Sequence, residues 1–289
     1  RNSSAALVAA GGALGPVIPP SIVMIIYGTT MGVSVPDMFT GAILPGILMA
    51  IALIAANSLM AKKWNIQISE KRYTAKEVAG YTWRAAGTLF MPILVLGGIY
   101  QGIFTATEAA AIACTYSLVI SICYKSMSFG KLFGILKKSA VVSAMGLLIV
   151  GSANAFGWLL AAGKIPAAIT SFLVPLLHTK VLYMAVLLLI LFLVGTLMET
   201  SASVVILAPI IVPTGLALGF DPLHLGLVFV IALVVGYITP PFGVNLFTVC
   251  STTGESYTDV VKGLVPYILA VVATVIAIAA FPVLTNILL

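Results

Sequence analysis

The chain has 289 residues, 61% of them hydrophobic and 8% charged, with a net charge of +6. Together with a mean hydropathy of +1.20, this excludes a water-soluble domain and describes an all-α polytopic membrane protein. Most of the basic residues fall in two loops, so the charge reports orientation across a lipid bilayer and not binding to nucleic acid. Cys114, Cys123 and Cys250 have neither metal-site spacing nor an obvious disulfide frame.

In chain order, the first predicted element is a helix over 5–28, broken at Gly15-Pro16-Val17-Ile18-Pro19-Pro20-Ser21. A helical N–H bonds to the carbonyl four residues back. Pro19 and Pro20 have no N–H, so the carbonyls of Gly15 and Pro16 lose their helical donors. Proline also pushes the preceding Ile18 out of the helical region. A crossing at 37–61 follows and ends at a basic stretch with Lys62, Lys63, Lys71, Arg72, Lys76 and Arg84. The run 86–124 holds two crossings, 86–104 and 107–124, turned through Gly102-Ile103-Phe104-Thr105-Ala106-Thr107-Glu108. A second basic loop carries Lys125, Lys131, Lys137 and Lys138, and a crossing at 139–162 comes after it. Residues 165–178, with Pro166 and Pro175, are short for a span and read as an interfacial or tilted segment. The apolar stretch 181–218 is interrupted by Glu199-Thr200-Ser201-Ala202-Ser203. It fits a re-entrant hairpin with a polar tip, or two crossings with a very tight turn. A second broken helix at 223–250 and a last crossing at 257–287 complete the map.

Excess Lys and Arg mark the cytoplasmic side. Two crossings separate the basic loops 62–86 and 125–138, so both face the cytoplasm and the turns 29–36 and 102–107 lie outside. The first broken helix then runs inside to outside and the second outside to inside.

The second break, Gly236-Tyr237-Ile238-Thr239-Pro240-Pro241-Phe242, repeats the first at an offset of 221. Val23 matches Val244 and Pro45 matches Pro266 at that offset, while Gly32, Ser34, Asp37 and Gly41 match Gly254, Ser256, Asp259 and Gly263 at 222. Opposed orientation makes this an inverted-topology repeat, and duplicated broken helices point to a transporter binding site. The second copy has a hairpin before its broken helix and the first has none within the sequence. The expectation is that the chain is a fragment, or that an upstream half-repeat lies on residues not present.

Three stretches carry a family resemblance. They are Gly15–Ser21; Gly97-Gly98-Ile99-Tyr100 with Gly102–Ala111; and Ile238-Thr239-Pro240-Pro241-Phe242-Gly243-Val244-Asn245-Leu246-Phe247. In order and over essentially the whole chain, the sequence resembles the large membrane subunit of the tripartite ATP-independent periplasmic (TRAP) transporters. Position 106 is alanine where that family often has proline. The resemblance implies an elevator-type, sodium-driven importer of small organic acids such as C4-dicarboxylates or sialic acid, in the bacterial inner membrane. It implies a periplasmic substrate-binding protein and a small membrane subunit, separate or fused, as partners. The moving transport domain would comprise 1–28 and 181–250, with 29–180 mainly scaffold, 251–289 a final scaffold helix and the inner hairpin upstream. Sodium would bind where each hairpin meets its broken helix.

Oxygen ligands suit a hard cation. The sodium candidates are Gly15, Ile18 and Pro20 at the first joint, Gly236, Thr239 and Pro241 at the second, and Thr196 and Thr200 at the hairpin tip. Carbonyls satisfied by neighbours are the alternative at the joints, and helix capping is the alternative at the tip. The substrate candidates are Ser21, Glu199, Ser201 and Asn245. Asn245 either donates to a substrate carboxylate or bonds a neighbouring helix, and Glu199 beside an anion requires a partner for its charge. Thr105 and Glu108 match a capping box, with a proton relay as the alternative. His178 and His224 read as surface residues, and Trp64, Trp83 and Trp158 as interface anchors. A channel, an intramembrane enzyme and a sodium–anion symporter without a binding protein are the competing classes. No nucleophile–base pair or metal cluster supports the enzyme.

Overall fold

The computed structural model describes residues 2–63, 73–177, 179–241 and 243–289. Trp64, Lys71, Arg72, His178 and Phe242 lie outside these residues, as do the side chains of Lys62 and Lys63. The described residues form thirteen α-helices and one 3₁₀ turn, and six of the helices are long and apolar enough to cross a bilayer. The chain divides into two compact units, 1–64 with 149–289, and 65–148.

In the larger unit the first helix breaks as its prolines require, into α1 (Asn2–Gly12) and α2 (Ile22–Met31). The gap is wider than the proline pair alone demands. Ser21 caps α2, accepting the Met24 N–H and donating its own hydrogen to the Pro16 carbonyl. Thus the Ser21 hydroxyl replaces the helical donor that the Pro16 carbonyl has lost, while no donor among the described residues meets the Gly15 carbonyl. After α3 (Val35–Lys63) and the segment described below, the unit resumes at residue 149 in the second part of a long helix and continues with α7 (Ile165–Leu176), α8 (Lys180–Gly195) and α9 (Thr200–Ala217). The second broken helix follows as α10 (Pro222–Val234), the 3₁₀ turn Val235–Tyr237 and α11 (Val244–Thr253). The last crossing, α12 (Tyr257–Ala280), stops earlier than 287. Phe281 and Pro282 end it, and a single turn, α13 (Val283–Asn286), folds back.

Helix α10 is the hub. Every residue from Leu223 to Val234 is buried, as befits a helix apolar on all sides. It packs against α2, α3, α8, α9, α12 and α13. Close approach needs small residues in a setting where lipid offers no hydrophobic drive for association. A Cβ on Gly226 would stand 2.4 Å from Tyr27 Cε1, so the ring of α2 fills the groove that glycine leaves.

The matched positions of the two copies share local structure. α2 and α11 both have ten residues and end on a left-handed glycine, Gly32 (φ 69°) or Gly254 (φ 73°). The next helices, α3 and α12, carry Asp37 and Asp259 in their first turns and Pro45 and Pro266 inside. The Pro19–Pro20 and Pro240–Pro241 peptide bonds are both cis.

The smaller unit contains α4 (Ala75–Tyr100), α5 (Ala106–Cys123) and the start of α6 (Phe129–Ala162). Helix α4 begins well before 86, because Thr74 and Glu77 form a capping box. Helix α6 begins ten residues before 139 and takes Lys131, Lys137 and Lys138 into its first turns. Tyr116 of α5 donates to the Gly87 carbonyl of α4 at 2.6 Å. Thr105 and Glu108 form both halves of a capping box on α5, which is the structural alternative to a relay. Thr105→Ala is expected to cost about 1 kcal/mol, measured as a lower unfolding temperature at unchanged helix content. Trp83 and Trp158 are 83% and 70% exposed.

Candidate functional site

The end of the hairpin arm α8 sits on the second joint, backbone against backbone. A Cβ built on Gly236 would fall 1.8 Å from the Gly195 carbonyl oxygen and 2.1 Å from its carbon. A Cβ on Gly195 would meet the Leu233 carbonyl oxygen at 2.7 Å. Only glycine at both positions permits this seat. The contact brings the turn 196–199 and the start of α9 to the joint, on the seam where sodium is expected.

The polar groups of that seam are arranged as follows. Thr239 donates its hydroxyl hydrogen to the Val235 carbonyl at 2.7 Å. The lone pairs of its oxygen are thereby turned away from the joint's own backbone. The Gly236 carbonyl accepts the Thr239 N–H at 3.3 Å, so it is weakly partnered and not orphaned. Across the seam, Thr196 donates to the Leu193 carbonyl at 2.7 Å. Glu199 is the N-cap of α9: one carboxylate oxygen accepts the Ala202 N–H at 2.8 Å, and the other accepts the Ser201 hydroxyl at 2.9 Å. Its charge is held at a helix N-terminus, where an anion is favoured. Thr200 is fully buried, and its hydroxyl has no hydrogen-bond partner among the described residues. The Tyr237 phenol faces it, with the Glu199 carboxylate nearby, but no bond of sound geometry joins Thr200 and Tyr237. A buried hydroxyl without a partner is uncommon, and it lies at the place where an added ligand would be met.

The first joint is different. Gly15, Ile18 and Pro20 are exposed, whereas Gly236 and Ile238 are buried. Pro241 is exposed too, and its carbonyl accepts the Tyr257 hydroxyl at 3.0 Å. Ser21 is buried as the cap of α2. Asn245 takes the neighbouring-helix alternative: its Nδ2 donates to the Ala9 carbonyl of α1 at 3.1 Å. That bond ties the first half of one broken helix to the second half of the other, beside both breaks.

The structure thus gathers Gly236, Thr239, Thr196 and Thr200 around one seam and leaves Gly15, Ile18 and Pro20 exposed at the first joint. Sequence reasoning missed Gly195 and Tyr237. Gly195 ends an apolar arm just before a polar turn, and that position was the available signal. His224 is corrected: it is 1% exposed and not a surface residue, because α13 closes over it. Among the described residues no group of His, Cys, Asp or Glu can hold a metal, and all three cysteines are free.

Two broken helices, a helical hairpin seated on one break and six helices long and apolar enough to cross a bilayer describe a polytopic membrane protein. Residues 1–284 match the family described as the tripartite ATP-independent periplasmic transporter, DctM component, and the chain belongs to it. It is 36% identical over 285 residues to the isethionate TRAP transporter permease protein DctMQ of Oleidesulfovibrio alaskensis, covering 96% of this chain and 45% of that protein. It is 32% identical to the 2,3-diketo-L-gulonate TRAP transporter large permease protein YiaN of Escherichia coli, covering 97% of this chain and 66% of the relative. It is 29% identical to the sialic acid TRAP transporter large permease protein SiaM of Vibrio cholerae, covering 98% and 66%. The chain therefore spans between about half and two thirds of these relatives. That family is one of transporters and not of enzymes.

Proposed function

We propose that this chain forms the translocating core of a sodium-coupled importer of small organic acids in the bacterial inner membrane. The observation that carries the reading is the backbone seat of Gly195 on Gly236, which puts a hairpin's polar turn against a proline-broken joint. Sodium binds at that seam through the Gly236, Thr239 and Pro241 oxygens and the Thr196 and Thr200 hydroxyls. A second sodium binds at Gly15, Ile18 and Pro20. Ser21, Ser201, Asn245 and Glu199 border the substrate, with Glu199 serving mainly as the cap that shapes the tip. The repeat is inverted, the hairpin re-entrant, and the hairpin with both broken helices moves as an elevator against α3, α12 and the remaining helices. A periplasmic binding protein delivers the substrate, and a small membrane subunit completes the assembly, as the fused name DctMQ of one relative suggests. The relatives' printed substrates, isethionate, 2,3-diketo-L-gulonate and sialic acid, support a small organic anion.

The test is initial uptake of a panel of organic acids into proteoliposomes holding the complete transporter. Uptake is expected to need both the cognate binding protein and sodium. It should fall at least about tenfold when potassium replaces sodium, which corresponds to a coupling near 1.4 kcal/mol. Full uptake without any soluble partner would instead identify a symporter of the binding-protein-independent kind, and single-channel currents would identify a channel.

A further inference from the structure

We infer that the groove between α8 and the end of α12 is the seat of one anionic phospholipid, with an acyl chain along the groove and the phosphate at Lys180. The inference uses none of the sodium or substrate candidates and stands whether or not the chain carries sodium.

The mouth of the groove holds a charge at the wrong end of its own helix. Lys180 is the first residue of α8, where the positive end of the helix dipole disfavours a cation. Its amine turns instead to the chain just past the end of α9. There it donates to the Gly219 carbonyl at 2.6 Å and lies 5.3 Å from the centre of the Phe220 ring. One of three ammonium hydrogens is used in this way, and two remain for another acceptor. Among the described residues the one ion pair joins Lys262 and Asp259, so no carboxylate neutralises Lys180. An exposed ammonium, held in place and unneutralised, suits a phosphate.

From that amine the groove follows one face of α8. Ala185 and Leu189 stand one above the other on that face, and Phe192 is the last residue of α8 along it. Ile276 and Ala280 of α12 form the opposite wall. Beyond Lys180 every lining side chain is apolar, and the cavity measures about 580 Å³. From Lys180 to Phe192 α8 rises about 18 Å, close to the roughly 15 Å of one leaflet's hydrocarbon. Lysines near the ends of membrane helices reach to the headgroup level. Lys180 therefore marks the surface of the leaflet and Phe192 its middle.

Shape separates the occupants. A helix is 10–12 Å across with its side chains, and over 18 Å it fills about 1,400 Å³ or more. A helix from another segment or from a partner subunit can rest on the rim, but it cannot enter. Water finds no polar partners along these walls. A single hydrocarbon chain enters lengthwise and gains dispersion contacts with both walls. It ends one turn short of Gly195, whose backbone seats on Gly236. The lipid thereby braces the hairpin arm that bears the seat.

Two measurements on the complete transporter test this. The first is native mass spectrometry in detergent, titrating phosphatidylglycerol or phosphatidylcholine with the same acyl chains. The wild type is expected to hold one phosphatidylglycerol about fivefold tighter than phosphatidylcholine. Lys180→Gln should abolish that preference. Ala185→Phe, which adds a ring at an exposed position inside the groove, should remove the tight site for both lipids. Bound phosphatidylglycerol should also raise the unfolding temperature of the wild type by at least about 2 °C and leave both variants unmoved. Equal affinities in the three proteins, or no preference in the wild type, overturn the site. The second measurement puts the photoreactive p-benzoylphenylalanine in place of Leu189, which is 71% exposed, in vesicles with equal amounts of the two lipids. Phosphatidylglycerol adducts should exceed phosphatidylcholine adducts about fivefold, and the ratio should return to about one with Lys180→Gln. Capture of another polypeptide segment in place of lipid, or a ratio near one in both proteins, overturns the proposal.

Discussion

Gly236→Ala is expected to cut uptake about ten- to hundredfold and to lower the unfolding temperature. The added methyl would lie 1.8 Å from a main-chain oxygen, that of Gly195. A side chain in that position could rotate away, but a helix backbone cannot. Overpacking that neighbours can absorb costs roughly 1–3 kcal/mol, and each 1.4 kcal/mol is tenfold in an equilibrium. Here α8 itself must back off, so the loss falls in the upper part of that range. The polar turn retreats with it, and the seam opens before any ligand group has been changed. Gly195→Ala meets the Leu233 oxygen at the longer 2.7 Å and should have the same effect to a smaller degree. Gly97→Ala, with nothing within 4 Å of its Cβ, is the control and should be neutral. Wild-type stability and sodium response in Gly236→Ala would show that the hairpin does not seat on this joint.

The second large effect is expected at Thr239 and the prolines after it. Thr239→Val keeps the side chain's shape but removes the oxygen. The Val235 carbonyl retains the Ile238 N–H at 3.2 Å, so folding should be nearly intact. Half-saturating sodium should rise about tenfold, the equivalent of 1.4 kcal/mol for one lost oxygen ligand. Replacing Pro240 and Pro241 together with alanine restores two N–H groups, which can reach the carbonyls of Gly236 and Tyr237 four residues back. That closes the joint and should remove the sodium response from this site, lowering the Hill coefficient as well. The readout is initial uptake against sodium concentration with binding protein present. Unchanged half-saturation and Hill coefficient in both variants, at equal incorporation, would show that the joint is a structural kink alone.

The breaks, the matched glycines and the order of segments were legible because each rests on local chemistry. Proline removes a donor wherever it stands, and Gly32 and Gly254 end helices of ten residues in both copies. The starts of α4 and α6 were misplaced for a reason that is also local. Lysine favours a helix, so Lys131, Lys137 and Lys138 mark the edge of the membrane and not the end of the helix. The Thr74–Glu77 box is the same signal that was read correctly at Thr105 and Glu108. What remained hidden was long-range. His224 sits near a segment end, where a surface position is the natural reading, and only the fold-back of α13 at Pro282 buries it. Gly195 and Tyr237 matter because they meet across the seam, and no spacing within the sequence announces that meeting.

The bond from Asn245 to the Ala9 carbonyl joins residues 236 apart, and the bond from Tyr267 to Asn57 joins residues 210 apart. These contacts join the first broken helix and α3 to segments made more than two hundred residues later. At roughly 5–20 residues per second, α1 waits on the order of ten to fifty seconds for its partners α11 and α12 to be made. During that interval its carbonyls and small-residue face must be sheltered by the insertion machinery or by lipid headgroups. Assembly of the larger unit therefore includes a late closure of the first broken helix onto α11 and α12, and slow translation would leave that helix waiting longer for its partners.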